Sequence, residues 1–371
     1  MDARRPESYG EFEVSGVGKA AREGIAGLFP GYFAMVMATG VVAVQANKLG
    51  FAIPARGLVA TAIVAYLVIW MLTILRSYQF APQLVADFRS FVKGPAFFTT
   101  SAGTTVLGQS LLLVLALPAA AEGLWVFAWF IWAFLMYSFG LNLFTSRPKQ
   151  PIERSVNGVW LIIPVATQSL SILTSLLSPY IANHGLMMLV SLSLFMLGDA
   201  LYLVVICAVV YRLAFFDLEP DDLKPAYWVC MGASAISTLA GVELCKRVDI
   251  WQLPFQPLPS LQGFTMFFWV VASAWIPLLL LLGFWRHGVR RVPLAYDPQY
   301  WSMVFPLGMY AFATHSAATE FKLTFIEPIA SVFLPIACLA WLWVFGGMTL
   351  SIVRHLFTAR GVAAVSGGET A

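Results

Sequence analysis

Apolar residues gather into ten stretches of about 20 residues each, near 28–46, 57–75, 96–117, 124–145, 158–177, 186–211, 226–243, 263–285, 299–318 and 329–353. About 20 apolar residues span the roughly 30 Å hydrocarbon core as a helix, so the pattern predicts ten transmembrane helices. The stretches alternate in character. Odd ones hold hydroxyls and small residues: AMVMATG in the first, FFTTSAGTTVLGQS in the third, PVATQSLSILTS in the fifth and GASAISTLAG in the seventh. Even ones are bulkier, the fourth reading WVFAWFIWAFLMYSF.

Each odd stretch opens with aromatic or apolar residues behind a turn former: Pro30-Gly31-Tyr32-Phe33, Pro95-Ala96-Phe97-Phe98, Asn157-Gly158-Val159-Trp160, Pro225-Ala226-Tyr227-Trp228 and Pro298-Gln299-Tyr300-Trp301. A period of two spans and two loops marks a tandem repeat. The expected fold is therefore an all-α integral membrane protein of five tandem helical hairpins, an inner five-helix ring around a pore surrounded by five outer helices. Residues 26–355 form this domain, between cytoplasmic segments at 1–25 and 356–371. Four-residue spacing gives the inner stripes: Gly31, Met35, Thr39, Ala43; Thr100, Thr104, Gly108; Thr167, Ser171, Ser175; Ala233, Ser237, Gly241. Such stripes suit either a shared lumen or close helix packing; their presence in each of these helices favours the lumen.

The ninth stretch, YWSMVFPLGMYAFATHS at 300–316, differs from a lipid-bathed helix. Pro306 removes a backbone donor and frees a carbonyl, tolerated in membranes where neighbours or water re-satisfy it. With Gly308 and the hydroxyls of Ser302, Thr314 and Ser316, this places the segment inside the bundle against the pore, with the Phe305 ring at the bend.

Composition agrees with the membrane reading, at 60% hydrophobic and 11% charged. The net charge of +3 comes without a basic run, which excludes a nucleic-acid partner. Residues 1–25 have no apolar core, so no cleavable signal is expected and the first apolar stretch is a retained span. With the N-terminus inside, 17 Lys and Arg fall on cytoplasmic segments and 5 outside: Lys48, Arg56, Lys246, Arg247 and Lys322. This asymmetry predicts cytoplasmic termini. Cys207, Cys230, Cys245 and Cys338 lack metal-like spacing, and His184, His287, His315 and His355 form no HExxH motif. No metal, cofactor or enzymatic activity is therefore expected, an intramembrane redox enzyme being the remote alternative. The inner helices' positive dipole ends converge on the cytoplasmic mouth, a source of anion preference without buried cations. Asp199, Glu243, His315 and Glu320 lie in or at the edges of spans. Asp199 and His315 are candidates for proton coupling, with a neutral hydrogen bond to a neighbouring helix as the alternative for Asp199.

FAMVMATG, YWVCMGASAISTLAG, LGDALYLVVICAVVYRLAFF and WSMVFPLGMYAFAT resemble the tellurite-resistance/dicarboxylate transporter family, which takes in malate permeases, sulfite pumps and plant slow anion channels. The likeness covers residues 26–355. It implies that Phe305, directly followed by Pro306, is the gate that occludes the pore, and that the protein is a homotrimer with a pore in each protomer. The Met35, Thr39-Gly40 pattern is closer to the malate and sulfite branch. The expected activity is transport of small anions at the plasma membrane, the inner membrane in a bacterium. C4-dicarboxylates such as malate come first, with sulfite or tellurite-related oxyanions, or passive chloride and nitrate flow, as alternatives. Thr39, Thr104, Ser171, Ser237 and Gly308 are the expected pore-lining residues.

Overall fold

The computed structural model describes residues 16–251 and 258–366, and these are helical with no strand among them. The α-helices are α1 (Gly16–Ala26), α2 (Ala34–Lys48), α3 (Ala52–Gln79), α4 (Ala81–Arg89), α5 (Phe98–Leu115), α6 (Pro118–Thr145), α7 (Ile152–Ser155), α8 (Ile162–Leu177), α9 (His184–Phe215), α10 (Val229–Cys245), α11 (Leu258–Phe284), α12 (Trp301–Glu320) and α13 (Glu327–Ser366). Of the expected tails, residues 1–15 and 367–371 lie outside the described residues. Helix α1 ends at Ala26 and α13 runs through 355.

A 3-10 turn leads into each of α2, α5, α8, α10 and α12: Pro30–Phe33, Gly94–Phe97, Gly158–Leu161, Pro225–Trp228 and Pro298–Tyr300. Proline suits these first turns, where its missing donor would be unpaired. Where proline is absent, Asn157 caps the turn by accepting from the Val159 amide; ahead of Pro298, Asp297 likewise accepts from the Gln299 amide.

Eight of the described spans are long and apolar enough to cross a membrane. The two expected spans outside that group are α2, which has 15 residues and ends in Gln45, Asn47 and Lys48, and α12, which carries Ser302, Thr314, His315 and Ser316. Burial separates the helices into two kinds. The spans containing α5, α8 and α10 are 83 to 100% buried, whereas those containing α3, α6, α9, α11 and α13 are 17 to 39% buried. Residues 34–46 of α2 are all buried, as is nearly all of α12.

Within hairpins, α2 packs on α3, α5 on α6, α8 on α9, α10 on α11 and α12 on α13. Across hairpins, α2 packs on α5, α5 on α8, α8 on α10, α10 on α12, and α12 back on α2. The five 3-10 turns touch in the same cyclic order. Gly158 permits one of these contacts: a Cβ there would lie 2.5 Å from the Ala226 carbonyl oxygen.

Arg76, at the end of α3, ties the amphipathic periphery to this frame. Its buried guanidinium donates to the carbonyls of Ala26 and Leu28 and pairs with Asp87 of α4 at 2.6 Å. Burial works against the Asp87 carboxylate, but hydrogen bonds from Arg76 and Lys93 outweigh it and hold the carboxyl below its usual range. The pair therefore stabilises the fold above the ordinary carboxylate range, and that contribution is lost as pH falls through the lower folded-state value. Arg76→Leu is expected to cost about 3–5 kcal/mol by stranding Asp87 and two carbonyls, read as a lower unfolding temperature in detergent; an unchanged temperature would show the tie to be idle.

Candidate functional site

The repeat supplies a common register. Seven residues after Pro30, Pro95, Gly158, Pro225 and Pro298 stand Met37, Ala102, Val165, Gly232 and Phe305, all buried. Phe305 is the one aromatic at a level otherwise made of aliphatic or absent side chains, and it is 1% exposed. Positions 7, 11, 14 and 18 share one helix face. Eleven residues on come Val41, Val106, Ser169, Ile236 and Met309, and fourteen on come Val44, Gln109, Ile172, Leu239 and Phe312. That face is mostly apolar.

Glycines bring neighbouring backbones against α12 at the level of Phe305. A Cβ on Gly232 of α10 would lie 2.6 Å from Pro306 Cγ. On the other side, a Cβ on Gly308 would lie 3.3 Å from Val41 and Val42 of α2. Gly308, expected along the pore, thus sits where α12 passes α2.

Three of the four hydroxyls expected along the pore, those of Thr39, Thr104 and Ser171, bond to backbone carbonyls or to outer helices. Thr39 donates to the Met35 carbonyl and accepts from Trp341 Nε1 of α13 at 2.9 Å. Thr104 donates to the Thr100 carbonyl and meets the Tyr66 hydroxyl of α3 at 2.9 Å. Ser171 donates to the Ser191 carbonyl of α9 at 2.7 Å. Ser237 faces Asp199 of α9 without a bonded partner for its Oγ. A hydroxyl has one proton to give, so Thr39 and Ser171 have spent theirs on carbonyls, and Thr104 points its oxygen at an outer helix. These residues fasten outer helices to inner ones. Trp132 to Thr167 and Trp269 to Thr314 do the same for α6–α8 and α11–α12, at 2.9 and 3.0 Å. Ser171 to Ser191 lies within one hairpin, whereas each of the Tyr and Trp bonds joins an outer helix to the inner helix of the next hairpin, and Trp341 to Thr39 closes the series across 302 residues. The sequence signal was the pairing of Trp and Tyr in the bulky stretches with Thr in the small-residue ones.

Asp199 is 1% exposed, with Oδ1 accepting from Gln168 Nε2 at 2.6 Å. Its Oδ2, Gln168 Oε1 and Ser237 Oγ are buried without partners. Gly198 makes room for the amide, since a Cβ there would lie 2.7 Å from Gln168 Nε2. His315 stands apart, near the far end of α12, with Nδ1 2.6 Å from Glu327 Oε1 of α13. The two proton-coupling candidates are therefore not brought together. Among the described residues no three His, Cys, Asp or Glu side chains cluster as a metal site.

At the end where the inner helices begin lies a cavity of about 730 Å³ lined by residues from or beside all five 3-10 turns, including Phe29, Lys93, Asn157, Tyr227 and Gln299. Arg212 of α9 reaches into its wall, donating to the Glu153 carbonyl and the Tyr227 hydroxyl and pairing with Asp222 at 3.1 Å. Lys93, Arg154 and Lys224 face Glu153, Asp217, Asp221 and Asp222 there, so cations and carboxylates are mixed at this mouth.

Residues 28–349 match SLAC1, the voltage-dependent anion channel family. The chain belongs to that family. An uncharacterized membrane protein of Mycobacterium tuberculosis is 37% identical over 163 residues, covering 43% of this chain and 79% of the relative. An uncharacterized transporter of Methanocaldococcus jannaschii is 25% identical, covering 81% of this chain and 86% of its own length. A sulfite efflux pump of Trichophyton rubrum is 22% identical over 92% of this chain and 96% of the pump. The SLAC1 family and these relatives carry names of channels, transporters and membrane proteins, not of enzymes. Membership agrees with the kinship that the ninth-stretch motif indicated.

Proposed function

We propose that the protein moves small anions across a plasma membrane through a lumen inside a ring of α2, α5, α8, α10 and α12, occluded by Phe305. The carrying observation is the gate level, where a single buried phenylalanine stands among Met37, Ala102, Val165 and Gly232 inside a cyclic set of helix contacts. In this reading ten helices span the bilayer, α2 and α12 being shielded from lipid by outer helices, and both termini are cytoplasmic. Three such protomers assemble, each with its own pore. The wall near the gate is apolar, which suits weak, brief anion contact better than tight binding.

C4-dicarboxylates such as malate are the first substrate reading. Sulfite is the second, favoured by the sulfite efflux pumps that align with nearly the whole chain. Uptake of labelled malate and of sulfite into liposomes bearing the full chain tests both. Flux of neither anion, from wild type or from a gate variant, would sink the proposal.

Asp199 distinguishes a coupled carrier from a channel. A proton on Oδ2 would give the buried triad of Asp199, Gln168 and Ser237 the donor it lacks. With coupling through Asp199, Asp199→Asn abolishes the response of uptake to an imposed pH gradient while uptake down the anion's own gradient persists. A response that survives in Asp199→Asn removes the residue from the mechanism and leaves His315 as the second candidate.

A further inference from the structure

The far rim, where the inner helices end, holds charges the gate does not use. Eighteen residues after each helix start stand Lys48, Leu113, Leu176, Glu243 and Ser316. This is the face that carries Phe305, so α2, α10 and α12 turn a cation, a carboxylate and a hydroxyl toward the axis at one level. Lys48 lies 4.5 Å over the Phe312 ring of α12 and is close enough to Glu243, Lys246 and Arg247 to feel their charges. Helices α2 and α10 are not neighbours in the cycle; α12, whose Phe312 ring Lys48 covers, packs on both.

Glu243 is held as a bound carboxylate would be. Oε1 accepts from Lys246 Nζ and Oε2 from Arg247 Nη1, both at 2.7 Å, while its backbone carbonyl accepts from Ser175 of α8 and from Arg247. An acid at a helix C-terminus opposes the helix dipole, and a carboxylate 5% exposed needs such partners. Lys48, by contrast, forms no ion pair with any described carboxylate. One turn before it on α2, Gln45 is 1% exposed with both amide atoms unpartnered, and Ser316 Oγ is likewise buried and unpartnered. Glu320, at the end of α12, is a further carboxylate on this rim, near Cys245.

We propose that this rim is a binding site for a carboxylate or similar small oxyanion, occupied by the chain's own Glu243, so that a passing anion competes with Glu243 for Lys246, Arg247 and Lys48. The site rests on the anion-transport reading for its purpose, but its occupancy is measured without transport. Gln45 and Ser316 supply neutral donors that an incoming anion would use.

The test is calorimetric titration of the purified full chain with malate and with sulfite, beside liposome flux of the same preparations. Glu243→Gln keeps the side chain's shape and removes the competing charge, and is expected to lower Kd roughly fivefold or more. Lys48→Gln, at an exposed helix end where it does not threaten folding, is expected to raise Kd by a similar factor. Kd unchanged in Lys48→Gln, or no binding by a folded Glu243→Gln, overturns the site and leaves a structural ion pair. If Glu243→Gln does not purify as a folded protein, Lys48→Gln decides. Flux with unshifted Kd defeats the rim site alone, whereas shifted Kd without flux supports the rim site and defeats transport.

Discussion

Phe305→Ala is expected to raise anion flux roughly tenfold or more, since lowering a barrier by only ~1.4 kcal/mol gives a factor of ten. The ring is buried at a level where the other four inner helices present Met37, Ala102, Val165 and Gly232. Removing it opens space that those residues are too short or too fixed to fill. Were Phe305 instead an ordinary core aromatic beside a kink, the same substitution would leave a cavity, cost about 3–5 kcal/mol of stability and leave flux alone. Flux and unfolding temperature measured on one preparation separate these outcomes. Phe305→Leu supplies a graded intermediate, expected between wild type and Phe305→Ala in flux. A folded Phe305→Ala with wild-type flux removes the gate from the mechanism.

Much of the architecture was legible because a bilayer restricts spanning backbone to closed hydrogen-bonding arrangements, leaving length and hydropathy to reveal helices. Alternation of small-residue and bulky stretches correctly separated buried from exposed helices, and the recurring turn formers marked the five 3-10 starts. Helix direction for side chains was harder. Thr39, Thr104 and Ser171 fall on stripes that suited a lumen or a packing interface, and spacing within one helix does not say which neighbour stands there. Their partners, Trp341, Tyr66 and Ser191, lie on other helices, in one case 302 residues away. The setting of Phe305 needs a different comparison: register against four other helix starts puts it level with Met37, Ala102, Val165 and Gly232, which takes all five repeats. Glu243 and Lys48 read as separate charges at span ends because their shared level shows only once the five helix starts are aligned.

Gly232→Ala is the second large effect expected, and its sign tests how α12 is seated. In a solvent-exposed helix the change would stabilise by ~1 kcal/mol, because alanine has the better helix propensity. Here the new Cβ would stand 2.6 Å from Pro306 Cγ, 2.8 Å from its Cβ and 3.1 Å from its Cα. A pyrrolidine ring has no rotamer with which to withdraw, so α10 or α12 must shift, and overpacking of this kind costs about 1–3 kcal/mol. The shift falls beside Phe305, so flux should change together with stability even though the Phe305 ring is intact. Gly263→Ala on α11, where a Cβ meets nothing within 4 Å, provides the reference and is expected to be neutral or stabilising. The double variant Gly232→Ala/Pro306→Ala relieves the contact, and coupling in that cycle measures it directly. If Gly232→Ala unfolds no earlier than Gly263→Ala and conducts like wild type, α12 is not clasped at Pro306, and the rigidity on which a phenylalanine gate depends must come from Gly308 against α2.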